Sequence, residues 1–232
     1  VGDDLTATID MDNLGWIYSS VQGYKPFFDN FELDISRYIN AAFVFFNKNH
    51  RELFEKLKTI YEENVETMVD LQDNIVNKGT DQTPLNYLIQ KENVDVKFLP
   101  PAYRLSHLHR REALGHNWQL NEDNTPFFIK YAYVWVFSGF SKEHSLSQAY
   151  GRNWSSEVSP YTYSIKSWEH FAKKNNCELF VLEDLITDTE EMGICWQRYY
   201  IFDILKDSGI KDFNQILIVD ADDSSSRLSK LF

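Results

Sequence analysis

The sequence predicts an α/β fold in which a mostly parallel sheet is flanked by helices. Short apolar runs, typical of buried strands, alternate along the chain with amphipathic stretches in which apolar residues recur every three or four positions. Polar segments and turns rich in glycine or proline separate the two patterns. At 232 residues and 43% hydrophobic content, a single domain over residues 1–232 is long enough to bury its own core.

The predicted strands are apolar runs bounded by polar or turn-forming residues. The clearest lies at residues 39–46, where Phe43-Val44-Phe45-Phe46 is continuously apolar, as in a strand buried on both faces. The other predicted strands are 96–99, 127–137, 178–182 and 216–219.

The predicted helices follow from helical periodicity and from end signals. Residues 50–70 carry an apolar stripe that includes Leu53, Leu57 and Tyr61. A short helix begins near Thr80 or Asp81, with Pro84 in its first turn, where a missing N–H is tolerated. Two more are predicted, one opening at Ser159-Pro160 and one over 194–206 that ends at Ser208-Gly209.

Charge and composition exclude several classes of partner. With 23 Lys and Arg against 35 Asp and Glu, the net charge is −12, which argues against nucleic acid as a partner. No apolar run approaches the ~20 residues that span a bilayer, and the acidic start Val1-Gly2-Asp3-Asp4 is unlike a signal peptide, so a cytoplasmic location is expected. We interpret Cys177 and Cys195 as small core residues. Oligomeric state is left open.

The aromatic content allows two interpretations. The chain has 6 Trp, 13 Tyr and 17 Phe. Aromatic rings suit the faces of sugars and nucleobases, although an aromatic core is the simpler explanation.

An acidic motif directly follows one predicted strand. Residues 216–219 lead into Asp220-Ala221-Asp222, which brings two carboxylates to the edge of the sheet where ligands of α/β proteins collect. Neighbouring carboxylates repel unless a cation lies between them, and oxygen ligands suit Mg²⁺ or Mn²⁺. The alternative is a solvated acidic turn at a strand end.

Several segments together resemble the GT-A fold, a Rossmann-like sheet, of nucleotide-sugar glycosyltransferases, in particular those similar to family 8. Val219-Asp220-Ala221-Asp222 resembles their Asp-x-Asp motif. Ile39-Asn40-Ala41-Ala42-Phe43-Val44 is similar to their F-N-[SA]-G segment, and Gly79 to Asn86 is similar to their [DG]-Q-[DT]-x-[LF]-N helix start. Trp135 to Gly139 resembles their closing [WI]-H-F-x-G segment.

The resemblance implies an activity and a set of site residues. The activity is transfer of a sugar from a nucleotide diphosphate sugar to a carbohydrate or other hydroxyl acceptor, with family 8 favouring retention at the anomeric carbon. Mn²⁺ or Mg²⁺ at Asp220 and Asp222 would draw charge from the leaving diphosphate. The implied catalytic residues are Asp81 and Gln82, and the implied donor-binding residues are Asn40, Tyr150, Arg152, Arg198 and Asp220.

The chain departs from the family pattern in order and in one metal ligand. Residues 1–140 resemble the C-terminal half of the family and residues 150–223 its N-terminal half, which implies a circular permutation. The closing histidine, a metal ligand in the family, is Val136 here, and an aliphatic side chain cannot bind Mn²⁺.

Two other functions stay open. The loss of the closing histidine fits a catalytically impaired domain that binds nucleotide sugars or carbohydrates without turnover. Ile218-Val219-Asp220-Ala221-Asp222 also resembles the nucleophile strand of haloacid-dehalogenase-like phosphatases, although that fold needs a lysine and further acidic residues downstream of the aspartates.

Overall fold

The computed structural model of the chain describes residues 3–10, 14–28, 32–74, 79–105, 119–124, 132–136, 161–182, 184–220 and 223–225. These residues form an α/β structure that divides into two compact units. The first unit comprises Val1–Leu99 and Leu182–Ile218, and the second comprises Pro100–Val181 and Val219–Phe232. The first unit therefore draws on both of the segments, 1–140 and 150–223, that the resemblance distinguishes. The single domain over 1–232 stays a prediction.

The sheet of the first unit has four strands in the order β3-β1-β2-β5. The strands are β1 Leu5–Ile9, β2 Ile39–Phe46, β3 Val96–Leu99 and β5 Ile216–Val219, the last residue of which belongs to the second unit. β1 is parallel to β3 but antiparallel to β2, so the sheet is mixed rather than mostly parallel. The difference arises from β1, a strand that the sequence patterns did not predict.

Helices of the first unit pack beside this sheet. They are α1 Leu14–Tyr24, α2 Arg51–Glu63, α3 Val65–Asn74, α4 Gln82–Lys91, α6 Ile194–Gln197 and α7 Ile201–Asp207, with a 3-10 turn over Arg198–Tyr200. α4 lies against β2, and α2 lies against α4. α1 was not predicted. The short helix predicted near Thr80 is confirmed as α4.

Two predicted helices are interrupted. The one over 50–70 breaks at Asn64, which separates α2 from α3. There the Asn64 side chain donates to the Ile60 carbonyl at 2.8 Å, and this local bond competes with the helical pattern. The one over 194–206 contains the 3-10 turn between α6 and α7. Its predicted end is confirmed, since Gly209 has a φ of +75° after α7.

The core of the first unit is aromatic. β2 is buried along its whole length, as its apolar run predicts. The Phe46 and Phe54 rings lie 4.4 Å apart between centroids, and the Tyr61 and Trp196 rings lie 4.8 Å apart. In this unit, much of the aromatic content therefore serves core packing.

The second unit contains β4 Val134–Val136, α5 Thr162–Asn175 and β6 Asp223–Ser225. β4 and β6 form an antiparallel pair in which Val136 is opposite Asp223. α5 confirms the helix predicted after Ser159-Pro160, and it buries Trp168 and Ala172. Among the helices that the structure describes in either unit, none is long and apolar enough to cross a membrane.

Two further predictions are wrong. Residues 178–182, all of them described, form no strand, and Phe180 and Leu182 are each 54% exposed. The places beside β2 are taken by β1 and β5, so this apolar run has no position next to β2. Cys177 is exposed rather than buried, because it follows the left-handed residue Asn176 at which α5 ends. Cys195 is half-buried and packs against the core.

The approach to α4 requires a glycine at position 79. A Cβ added to Gly79 would lie 2.6 Å from the backbone nitrogen of Gln72, too close for any real contact. We therefore expect Gly79→Ala to lower the free energy of unfolding by about 2–3 kcal/mol, the usual cost of overpacking a site that cannot relax. Urea unfolding followed by tryptophan fluorescence measures the change.

Gly209→Ala is the matched control for this effect. Its added Cβ would meet no atom within 4 Å, and only its φ of +75° opposes a side chain. A cost of about 1 kcal/mol is expected there. Equal costs at the two positions would show that the approach of Gln72 to Gly79 is not tight.

Candidate functional site

Four of the residues that the resemblance implies for donor binding and catalysis lie in the first unit, three of them at the beginnings of β2 and α4. Asn40 is the second residue of β2, Gln82 is the first residue of α4, and Asp81 directly precedes it. Arg198 begins the 3-10 turn between α6 and α7. The three residues of β2 and α4 are 3–6% exposed, so this is a buried polar cluster next to an apolar core.

Two amide side chains of the cluster have fixed orientations. The Gln82 Oε1 atom accepts from the Ala41 backbone N–H at 2.9 Å, and the Asn40 Oδ1 atom accepts from the Ala42 backbone N–H at 2.8 Å. Because each amide oxygen faces a backbone donor, each NH₂ group must point the other way. Both NH₂ groups then donate to the same atom, Asp10 Oδ2, at 2.6 Å from Gln82 and 3.5 Å from Asn40.

Asp10 is a member of the cluster that the sequence analysis missed. It follows β1 directly and is 5% exposed. Its backbone N–H donates to the Tyr38 carbonyl at 2.8 Å, which continues the pairing of β1 with the residues before β2. The signal was present in the sequence: Leu5, Ala7 and Ile9 alternate with two threonines, the pattern of a strand, and an aspartate follows.

Asp81 is held by two residues that are distant in the chain, Arg198 and Tyr199. Its Oδ2 atom accepts from the Tyr199 hydroxyl at 2.5 Å and lies 3.6 Å from the Arg198 Nε atom. Arg198 also donates to the Ala41 carbonyl of β2 at 3.1 Å. Burial, and then the nearby Asp81 carboxylate, raises the pKa of Tyr199 well above its ordinary value. The Tyr199 hydroxyl therefore keeps its proton and donates a hydrogen bond to the carboxylate.

The next turn of α4 anchors the helix to the sheet. Asn86 accepts from the Ile39 backbone N–H at 2.7 Å and donates to the Ile39 carbonyl at 2.9 Å. The Thr83 hydroxyl lies 2.6 Å from the Ser20 hydroxyl and 2.7 Å from that of Tyr38. These buried bonds fix the position of the cluster relative to α1, β2 and α4.

The chemistry of the cluster suits a ligand rich in hydroxyl groups. Carboxylates accept hydrogen bonds from hydroxyls, and a primary amide has two N–H donors, of which Asn40 and Gln82 each use one on Asp10. Both amide nitrogens are turned toward one carboxylate, so donors and acceptors lie side by side. A hydroxyl can both donate and accept, so adjacent hydroxyls of a ligand can use donors and acceptors placed in this way.

The remaining predicted site residues are Asp220, Asp222, Tyr150 and Arg152. Asp220 follows β5 and belongs to the second unit, where it is half-buried. Tyr150, Arg152 and Asp222 lie outside the described residues. Within the described ranges, no three His, Cys, Asp or Glu side chains are grouped so that they could hold a metal ion. The predicted Mg²⁺ or Mn²⁺ site therefore depends on Asp220 together with Asp222 and stays a prediction.

The backbone brings the closing segment of the second unit close to the acidic motif. In the antiparallel pair of β4 and β6, Val136 is opposite Asp223, the residue after Asp222. Position 136, where the resembling family has its metal-binding histidine, thus pairs with the residue that directly follows the Asp-x-Asp motif in the chain.

No protein-family model, no curated protein and no solved structure matches this chain.

Proposed function

We propose that the chain is a glycosyltransferase that moves a sugar from a nucleotide diphosphate sugar to a hydroxyl acceptor, with a GT-A-like fold in permuted order. One observation carries the proposal. Asn40, Asp81-Gln82 and Arg198 come from three separate segments that the resemblance singled out, and they share one buried hydrogen-bonded cluster. Neither composition nor local periodicity requires these segments to meet.

The buried cluster would hold the donor sugar. Asn40, Gln82 and Asp81 would orient its hydroxyls, and the fixed amides and carboxylates would do so without reorganising. In the reaction, the bond between the anomeric carbon and the diphosphate oxygen breaks. A bond to the acceptor oxygen forms, and the proton of the acceptor hydroxyl passes to the leaving diphosphate. The leaving diphosphate keeps the electron pair of the broken bond.

Asp220 and Asp222 would hold a divalent cation in this account. When bound, Mn²⁺ or Mg²⁺ neutralises charge that develops on the leaving diphosphate. The position of Val136 opposite Asp223 supports this assignment, since the closing segment and the acidic motif are neighbours here as the resemblance implies. Tyr150 and Arg152 are proposed to contact the nucleotide on the basis of the resemblance.

A second candidate is a domain that binds nucleotide sugars without turnover. Val136 favours it, because that residue removes a metal ligand at a position adjacent to the acidic motif. A weaker metal site lowers transfer more than it lowers binding, since the metal acts on charge that develops in the transition state.

Two measurements on the whole chain test the proposal. The first is a thermal-shift screen with UDP-, GDP- and ADP-hexoses, with and without Mn²⁺, in which a bound donor raises the midpoint by mass action. The second is slow hydrolysis of the binding donor, with water as the acceptor. We expect a shift that Mn²⁺ increases, together with hydrolysis.

Asp222→Asn should abolish the effect of Mn²⁺ in these assays. Asp212→Asn is the matched control, because the side chain of Asp212 is fully exposed, and it should behave as wild type. A shift without hydrolysis would support the second candidate. The absence of a shift with every donor would contradict both functions.

A further inference from the structure

We propose that Tyr199 is a positioning residue, whose buried hydroxyl fixes the Asp81 carboxylate in the orientation that contacts the donor sugar. The inference rests on the proposed function, because Asp81 contacts a sugar only in that account. It concerns a residue that neither the sequence patterns nor the resemblance singled out.

Asp81 does not cap α4 with its side chain. It occupies the N-cap position, where aspartate usually accepts from the backbone N–H groups of the first turn, yet its side chain makes no such bond. Instead, Oδ2 accepts from Tyr199, 118 residues away in the chain. The carboxylate is therefore turned from a local partner to a tertiary one.

The Tyr199 hydroxyl is itself held in place by the packing of its ring. The side chain is 3% exposed. Its ring lies 5.4 Å from the Phe54 ring and 6.2 Å from the Trp196 ring, measured between centroids. A ring packed in this way has little freedom to move, and its hydroxyl is equally restricted. The hydrogen bond from this hydroxyl therefore restricts the Asp81 carboxylate as well.

The hydrogen bond from Tyr199 to Asp81 is strong and directional. A hydrogen bond to a charged acceptor is stronger than one between neutral groups, and this one is short, at 2.5 Å between oxygens. Arg198 contributes positive charge at 3.6 Å from the same oxygen, while its Nε–H donates to the Cys195 carbonyl at 2.8 Å. Tyr199 therefore supplies the directional bond, and Arg198 supplies the charge.

Tyr199→Phe removes this hydroxyl, and Tyr61→Phe is its matched control. Tyr61 is equally buried, contacts the same Trp196 ring, and donates one hydrogen bond to a backbone carbonyl, that of Glu191, at 2.9 Å. Both variants lose one hydroxyl, and the thermal midpoint should fall further for Tyr199→Phe, because its lost bond is to a buried, charged acceptor. Circular dichroism melts establish that each variant is folded before activity is compared.

The activity test is a double-mutant cycle on donor hydrolysis with Mn²⁺, using the UDP-, GDP- or ADP-hexose that wild type hydrolyses. Tyr199→Phe should lower kcat roughly tenfold or more, because a displaced carboxylate impairs the reacting geometry, while KM stays within about threefold because the carboxylate keeps its charge and still accepts from the sugar. In an Asp81→Asn background, the same substitution should change kcat by less than about twofold, because its effect acts through Asp81. Tyr61→Phe should leave kcat unchanged in both backgrounds.

The outcomes separate the two proposals. If wild type neither binds nor hydrolyses any of the donors, the proposed function fails and this inference fails with it. If wild type is active but Tyr199→Phe matches Tyr61→Phe, or costs the same kcat in both backgrounds, the inference alone is overturned.

Discussion

Replacing Arg198 with methionine is expected to lower the free energy of unfolding by about 3 kcal/mol or more. The Arg198 side chain is 16% exposed, and its Nε atom lies 3.6 Å from the Asp81 carboxylate, which is 5% exposed. Methionine keeps the apolar stem but leaves a buried carboxylate without this cation, and such uncompensated charges are costly. The Ala41 carbonyl loses a donor as well. Urea unfolding at pH 7.5 measures the change.

Arg51→Met is the matched control for this prediction. Arg51 pairs with Glu55 at 3.7 Å, but both side chains are largely exposed, at 53% and 42%. Exposed pairs contribute about 0–1 kcal/mol, so little change is expected. If Arg198→Met costs no more than Arg51→Met, the Arg198–Asp81 pair does not hold the cluster together.

Replacing Gln82 with glutamate is expected to destabilise the protein by about 3–5 kcal/mol at pH 7.5. The substitution is nearly isosteric, but it places a carboxylate oxygen where the Nε2 atom lies, 2.6 Å from Asp10 Oδ2. Two buried carboxylates at this distance repel each other strongly unless they share a proton.

The cost of Gln82→Glu should depend on pH with a definite sign. Repulsion from Asp10 raises the pKa of the new carboxyl in the folded state above its unfolded value of about 4.3. The folded variant then binds more protons than the unfolded chain, so its stability falls as pH rises from about 4.3 through the raised pKa. The difference from wild type should therefore be smallest near pH 4.5 and largest above pH 7.

Gln90→Glu controls for the change of charge on the same helix. Gln90 is on the exposed part of α4, where its amide exchanges hydrogen bonds of 2.8 and 3.0 Å with the backbone of Asp34. A cost near 1 kcal/mol is expected from the lost donor. Equal costs, or a Gln82→Glu cost that does not vary with pH, would contradict the contact between Gln82 and Asp10.

Local sequence patterns predicted the elements that carry most of the cluster. The continuous apolar run of β2 and the Pro84 signal of α4 are strong because burial and helix-end chemistry act within a few residues. The resemblance then singled out Asn40, Asp81 and Gln82 on these elements. The structure adds that Asn40 and Gln82 share Asp10 as a partner, and that Arg198 contacts both Asp81 and the Ala41 carbonyl beside them.

Residues that enter the cluster through tertiary pairing were harder to predict. β1 is short and two of its five residues are threonine, so its burial depends on its position between β2 and β3. Asp10 was missed for that reason. Tyr199 lies in an amphipathic segment where an aromatic residue indicates only core packing. Its proposed positioning role depends on a hydrogen bond to Asp81, 118 residues away in the chain. The wrongly predicted strand 178–182 illustrates the same limit. An apolar run forms a strand only where another strand is available to pair with it, and the run itself does not reveal that partner.

The central claim is that the cluster around Asp81 binds the sugar of a nucleotide sugar. Calorimetric titration tests it most directly, with a hexose donor and its bare nucleoside diphosphate each titrated into wild type and Asp81→Asn in the presence of Mn²⁺. The account predicts that Asp81→Asn weakens donor binding roughly tenfold or more, through loss of a charged hydrogen-bond acceptor. It also predicts that the affinity for the bare nucleotide changes by less than about twofold. Equal losses for both ligands, or no loss for the donor, would contradict a sugar-binding role for this cluster.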